Sequence, residues 1–143
     1  FPGLTRACLV HDFMVQRANA AGFPVALHAT GDYAVRASLD AFEQSERKLK
    51  HGLMNRIEHI EMLNPADAPR FAQLKVAASM QPQHYQYGSM DDSIFARIGK
   101  DRLADTWTWK TLVDSGATLV FSSDYPIVPV NPRPYRPSGA VMA

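Results

Sequence analysis

A chain of 143 residues, 46% hydrophobic and 20% charged, has the make-up of one globular domain with a core of its own. Its 15 basic and 14 acidic residues leave a net charge of +1 with no dense run of lysine or arginine, which argues against a nucleic-acid partner. No apolar run nears the roughly 20 residues of a membrane-spanning helix, and a single cysteine, Cys8, excludes an internal disulfide.

The chain opens on Phe1-Pro2-Gly3, with neither an initiator methionine nor a signal-peptide pattern, and reads as a piece of something longer; a cytoplasmic setting is favoured. Residues from about Leu4 to Ala21 are expected to be helical, with Ala7, Val10, Met14, Ala18 and Ala21 on one apolar stripe and Gly22 as the stop. His11 and Asp12 lie off that stripe, as solvated residues do. Phe23-Pro24-Val25-Ala26-Leu27-His28 then reads as a buried strand, followed by a turn at Gly31-Asp32. A second helix carries Val35, Leu39, Phe42 and Leu49 inward and Arg36, Glu43, Arg47 and Lys48 outward. His51 is read as a loop residue, and the second strand runs from Asn55 to Ile60.

Asn64-Pro65-Ala66-Asp67 is a helix start, with a capping asparagine, proline at the first helical position and an acid in the first turn. Phe71 and Leu74 of this short helix are expected to point inward. A third strand, Val76 to Met80, closes at Gln81-Pro82. The weakly periodic residues up to about Asp105 suit an active-site loop with some local helix. Trp107, Trp109, Leu112 and Val113 mark another helix stopped at Gly116, and a fourth strand covers Thr118 to Phe121. Residues 127–143 are proline-rich and expected to be irregular. Alternation of this kind predicts an α/β fold with four parallel strands. Without a glycine-rich phosphate loop after any strand, closure into a barrel is favoured over a nucleotide-binding sheet.

Polar residues cluster at the carboxyl ends of these strands, where α/β enzymes build their sites. His28 and His59 are candidate imidazole ligands of one divalent ion, and Asp124 could both bind it and carry a proton. The competing reading of each histidine is a strand-end residue bonded to a nearby loop. Asp32 and Glu58 could orient His28 and His59 or a neighbouring loop through hydrogen bonds; Asp32 could equally act as a helix N-cap, and Glu58 points to the other side of the sheet by alternation. Arg56 is expected to reach a helix rather than Glu58. His84 would overhang the mouth and bind a substrate carbonyl or brace the loop, with Met80 and Gln81 lining the pocket. Met80, Tyr85, Tyr87 and Trp107 suggest that something partly apolar is accommodated, although Trp107 and Trp109 read first as packing residues, Trp109 more firmly than Trp107.

The segments Leu27-His28-Ala29-Thr30-Gly31-Asp32, Arg56-Ile57-Glu58-His59, Ser79-Met80-Gln81-Pro82-Gln83-His84 and Ser122-Ser123-Asp124-Tyr125-Pro126 together resemble the metal-dependent amidohydrolase superfamily, in its amidohydrolase 3, YtcJ-like branch. The resemblance runs from about Phe13 to Pro132. It implies a partial TIM (β/α)8 barrel, strands 5–8, with residues 1–143 as half of a metal-dependent hydrolase barrel. It also implies that His28, His59 and Asp124 hold a divalent metal, usually zinc, with Asp124 as proton shuttle. The implied reaction is hydrolysis of an amide, formamide or cyclic amide bond in a small molecule. The family's His-x-His on the first strand and its carboxylate on the fourth have no counterpart here, and Pro132-Arg133-Pro134-Tyr135-Arg136 departs from its pattern. The chain is therefore expected to be inactive alone and to need the amino-terminal half of the barrel or a second copy. A truncated barrel serving as a non-catalytic assembly or binding module is the competing expectation.

Overall fold

In a computed structural model of the chain, which describes residues 2–50, 52–88 and 96–127, the apolar runs form four short parallel strands. These are β1 (Ala26–Ala29), β2 (Arg56–His59), β3 (Ala77–Met80) and β4 (Thr118–Phe121), arranged in the order β1-β2-β3-β4. Helix α1 (Pro2–Ala20) leads into β1, α2 (Asp32–Leu49) joins β1 to β2, and α3 (Ala68–Gln73) joins β2 to β3. Helices α4 (Pro82–Gly88) and α5 (Trp109–Asp114) lie between β3 and β4, and short 3-10 segments occupy Pro65–Asp67 and Lys100–Asp105. Each strand pairs in parallel with the next one along the chain. A doubly wound sheet would reverse its strand order about a central strand, whereas consecutive units of a (β/α)8 barrel keep this sequential order. The fold is thus α/β, a partial TIM barrel. The proline-rich expectation for 128–143, and His51, lie outside the described residues.

Register explains burial. Leu27, Ile57, Ala78 and Leu119 align in one row across the sheet, and their side packs with Val35, Leu39, Phe42, Phe71 and Leu112 of the helices in a single core. His28, Glu58, Ser79 and Val120 form the alternate row, on the face that a closed barrel turns inward. Met80 falls on the helix side with Ala78 and is fully buried in that core. This corrects the expectation that Met80 lines a pocket: it supports β3 from beneath. Arg56 also departs from expectation. Its Nε donates to Glu58 Oε1 at 2.6 Å, because residues two apart on a strand share a face.

Helix ends follow their local chemistry. Gly22, at φ 84°, terminates α1, and the Phe23 N–H reaches back to the Ala18 carbonyl at 3.0 Å. Asn64 Oδ1 accepts from the Ala66 N–H at 3.0 Å, as its capping role requires. Asp67 does more than sit in a first turn: buried, it accepts from Arg36 at 2.9 Å and Arg70 at 3.2 Å, tying α3 to α2. Over residues 11–20 of α1 the buried positions are Val15 and Asn19, while Met14 is exposed, so the docked face there is rotated from the expected stripe.

That rotation follows from a polar knot beneath the sheet. Asn55, just before β2, accepts through Oδ1 from Asn19 Nδ2 at 3.0 Å and from the Val25 N–H at 2.8 Å, and donates through Nδ2 to Asn19 Oδ1 at 3.2 Å. Ser45 Oγ of α2 donates to Asn19 Oδ1 at 2.9 Å. Asn19, Ser45 and Asn55 are all buried, so these bonds satisfy groups that would otherwise be stranded away from water. Among the described residues, no helix is long and apolar enough to cross a membrane.

Candidate metal centre

The opposite, carboxyl end of the sheet gathers the titratable residues. His28 stands on the exposed face of β1, and strict alternation would turn His59 away from it, towards the helices. Backbone φ values of 78° at His59 and 53° at Ile60 break the strand there. The left-handed region is disfavoured for branched and bulky residues, so surrounding contacts must hold it. The His59 ring lies 4.4 Å from that of His28 between centroids, inclined at 65°. The His84 ring also stacks on His59, at 5.6 Å between centroids and only 13° from parallel.

His84 belongs to the first turn of α4 rather than to a loop, and its N–H donates to the Gln81 carbonyl at 2.9 Å. Two carboxylates flank its ring: Glu61 Oε1 lies 3.7 Å from Nδ1, and Asp124 Oδ2 lies 4.0 Å from Nε2. Asp124 sits in the turn beyond β4 at φ 55°, and its carbonyl accepts from the Ile127 N–H at 2.8 Å. Burial and repulsion from His28 lower the His59 pKa, outweighing the opposing pull of Asp124 and Glu61. A neutral imidazole is the form that ligates a cation.

His59 Nδ1 and His84 Nε2 are shut away from solvent and have no hydrogen-bond partner among the described residues. His59, Glu61 and His84 each offer a ligand atom, all within 4.8 Å of one another. Two buried imidazole nitrogens without partners, facing carboxylates, fit a divalent cation by donor type.

Of the expected site residues, the fold therefore brings His28 against His59, and Asp124 and His84 into the same cluster. Gln81 is buried, and its Nε2 donates to Ser122 Oγ at 2.9 Å and to Glu58 Oε2 at 3.3 Å, linking β2 to the segment that carries Asp124. Glu58 accepts from Arg56 of its own strand and from Gln81 just beyond β3. Asp32 is not the N-cap of α2; its hydrogen bond goes to the neighbouring Lys100–Asp105 segment, one of the two orienting roles expected of it. Gly31 caps α2, and Asp32 takes Arg102 Nη2 at 2.6 Å. Glu61 was not anticipated; a carboxylate two positions after a strand-end histidine was the available signal.

Glu58 makes a testable contribution to acid stability. Burial alone would raise its pKa, but hydrogen bonds from Ser79, Arg56 and Gln81 and the Arg56 charge bring it below the ordinary 4.5. A pKa lowered by folding contributes stability that is complete above the ordinary value and disappears as pH falls through the lowered one. Unfolding midpoints measured between pH 7 and pH 3 should decline less steeply for Glu58→Gln than for the parent. An identical acid limb would contradict the role given to these bonds.

A family model described as Amidohydrolase family matches residues 5–143. The Bacillus subtilis protein named as amidohydrolase YtcJ is 34% identical over 133 residues, which are 90% of this chain and 24% of that protein. Protein LONG AFTER FAR-RED 3 of Arabidopsis thaliana is 34% identical over 117 residues, 80% of this chain and 20% of that protein. The crystal structure of an uncharacterized metal-dependent hydrolase from Pyrococcus furiosus superposes with a TM-score of 0.68 at 37% identity, over 83% of this chain and 23% of that one. The chain thus spans no more than about a quarter of the length of these relatives.

Proposed function

Because this chain belongs to the amidohydrolase family, we propose that it supplies the His28, His59 and Asp124 side of a divalent-metal centre, zinc in the first instance. The centre hydrolyses carbon-nitrogen bonds other than peptide bonds in a small amide, formamide or cyclic amide. The observation that carries this reading is His59 itself: a buried imidazole packed with the rings of both His28 and His84, its Nδ1 without a partner among the described residues.

A bound divalent ion would polarise the scissile carbonyl and lower the pKa of water. His28 and His59 hold that ion through imidazole nitrogen, and Asp124 through a carboxylate oxygen. Asp124 is 39% exposed at its side chain, so an oxygen remains available to take a proton from the attacking water and deliver it to the leaving nitrogen. His84, between Glu61 and Asp124, hydrogen-bonds the substrate carbonyl or holds Asp124 in place. Further ligands come from the rest of the barrel, on a longer chain or a second copy, and these 143 residues alone are inactive.

The test uses the full-length protein. Metal analysis should find a divalent ion, a chelator should remove it together with amide hydrolysis, and Asp124→Asn should lower the rate by roughly a hundredfold to ten-thousandfold. A protein that takes up no metal and hydrolyses no amide would instead support the non-catalytic module.

A further inference from the structure

An aromatic corner adjoins the histidine cluster. Tyr85 follows His84 on α4, and its ring meets Trp107 at 5.8 Å and Trp109 at 6.3 Å, while the two tryptophans lie 6.3 Å apart. All three contacts are edge-to-face, inclined at 66° to 90°. We propose that Tyr85, Trp107 and Trp109 form the subsite for an aromatic group carried by the substrate, on the acyl or the amine side of the bond that is cut. This deepens the hydrolase reading above and rests on it for the identity of the neighbouring centre.

The placement of Trp107 carries the argument. It holds φ at 54°, in a region a bulky side chain avoids, and its backbone is fixed by two hydrogen bonds. Its N–H donates to the Glu61 carbonyl at 3.0 Å, and its carbonyl accepts from the Trp109 N–H at 2.9 Å. The surrounding segment is laced to the loops after β1 and β2. Thr106 bridges to Met62, Asp105 accepts from the Leu63 N–H at 2.9 Å, and Arg102 holds Asp32. The Trp107 backbone is thereby tied directly to Glu61, whose carboxylate faces His84.

Trp109 packs on the hydrophobic core, whereas Tyr85 keeps 37% of its surface exposed. The corner has a supported base at Trp109 and a partly exposed side at Tyr85. Rings already disposed edge-to-face present both faces and edges to a further ring, the arrangement in which aromatic pairs gain beyond simple burial. A small aliphatic amide would leave that side uncovered.

Calorimetric titration of the metal-loaded full-length protein with phenylacetate and with acetate tests the proposal, because the two share a carboxylate and differ in the ring. Phenylacetate should bind more tightly and perturb tryptophan emission. Trp107→Ala should cut the preference for phenylacetate roughly tenfold, and Trp107→Phe, which keeps a ring, should retain most of it. Equal binding of the two probes, or an unchanged preference in Trp107→Ala, overturns the subsite. Metal content and thermal midpoint are read on the same samples. Loss of metal with the preference intact would count against the hydrolase reading and leave the subsite standing.

Discussion

In His59→Asn, the full-length protein should lose its bound metal and with it roughly a thousandfold or more in amide hydrolysis, about 4 kcal/mol of transition-state stabilisation. The size of the effect follows from where the residue stands. His28 touches His59 at 4.4 Å and His84 stacks on it at 5.6 Å, so one ring is common to both contacts. Asparagine is the informative replacement because it tolerates the left-handed backbone that His59 adopts at φ 78°, so loss of the imidazole is separated from backbone strain. Metal stoichiometry and kcat, measured beside the thermal midpoint, decide the matter. A variant with full metal occupancy and a rate within about threefold of the parent would remove His59 from the centre.

Much of this architecture could be read from the residues, for reasons that are local. Strand β4 occupies the expected Thr118–Phe121 because an apolar β-branched run is bounded by Gly116 and a polar turn. Gly22 and Asn64 end and begin elements through backbone preference and side-chain capping, both properties of a few adjacent residues. Met80 was misplaced even though alternation from Ser79 puts it among the core side chains; the motif around Gln81 drew it towards the site. The rotation of α1 was less accessible, since Met14 and Val15 are neighbours on the helix and only the distant Asn55 decides which is buried.

Four residues at the functional end share a backbone conformation that their own preferences do not predict. His59, Ile60, Trp107 and Asp124 all hold positive φ without being glycine. Composition predicts the opposite, because such conformations are imposed by tertiary contacts rather than chosen by the residue. The same cause hides Glu61 from the sequence: its approach to His84 depends on the break at His59 and Ile60 and on the hydrogen bond its carbonyl accepts from the distant Trp107 N–H.

The other end of the sheet yields the largest expected loss of stability. Asn55→Leu keeps a side chain of similar volume but strands the Val25 N–H, which donates to Asn55 Oδ1 at 2.8 Å, and leaves the buried Asn19 amide without its Asn55 partner. Unsatisfied buried groups cost roughly 1–3 kcal/mol each, so a total of about 3 kcal/mol is expected, read as a lower urea midpoint with an unchanged slope. Ser45 would still donate to Asn19, and Asn19 to the Phe23 carbonyl, which keeps the cost below that of deleting the whole knot. Metal content should be unaffected in the folded fraction, because Asn55 precedes β2 whereas His59 closes it. In barrels of this kind the amino-terminal rim serves stability and the carboxyl-terminal rim serves chemistry. Loss of metal at full stability in Asn55→Leu would show that the two rims are not separable in this protein.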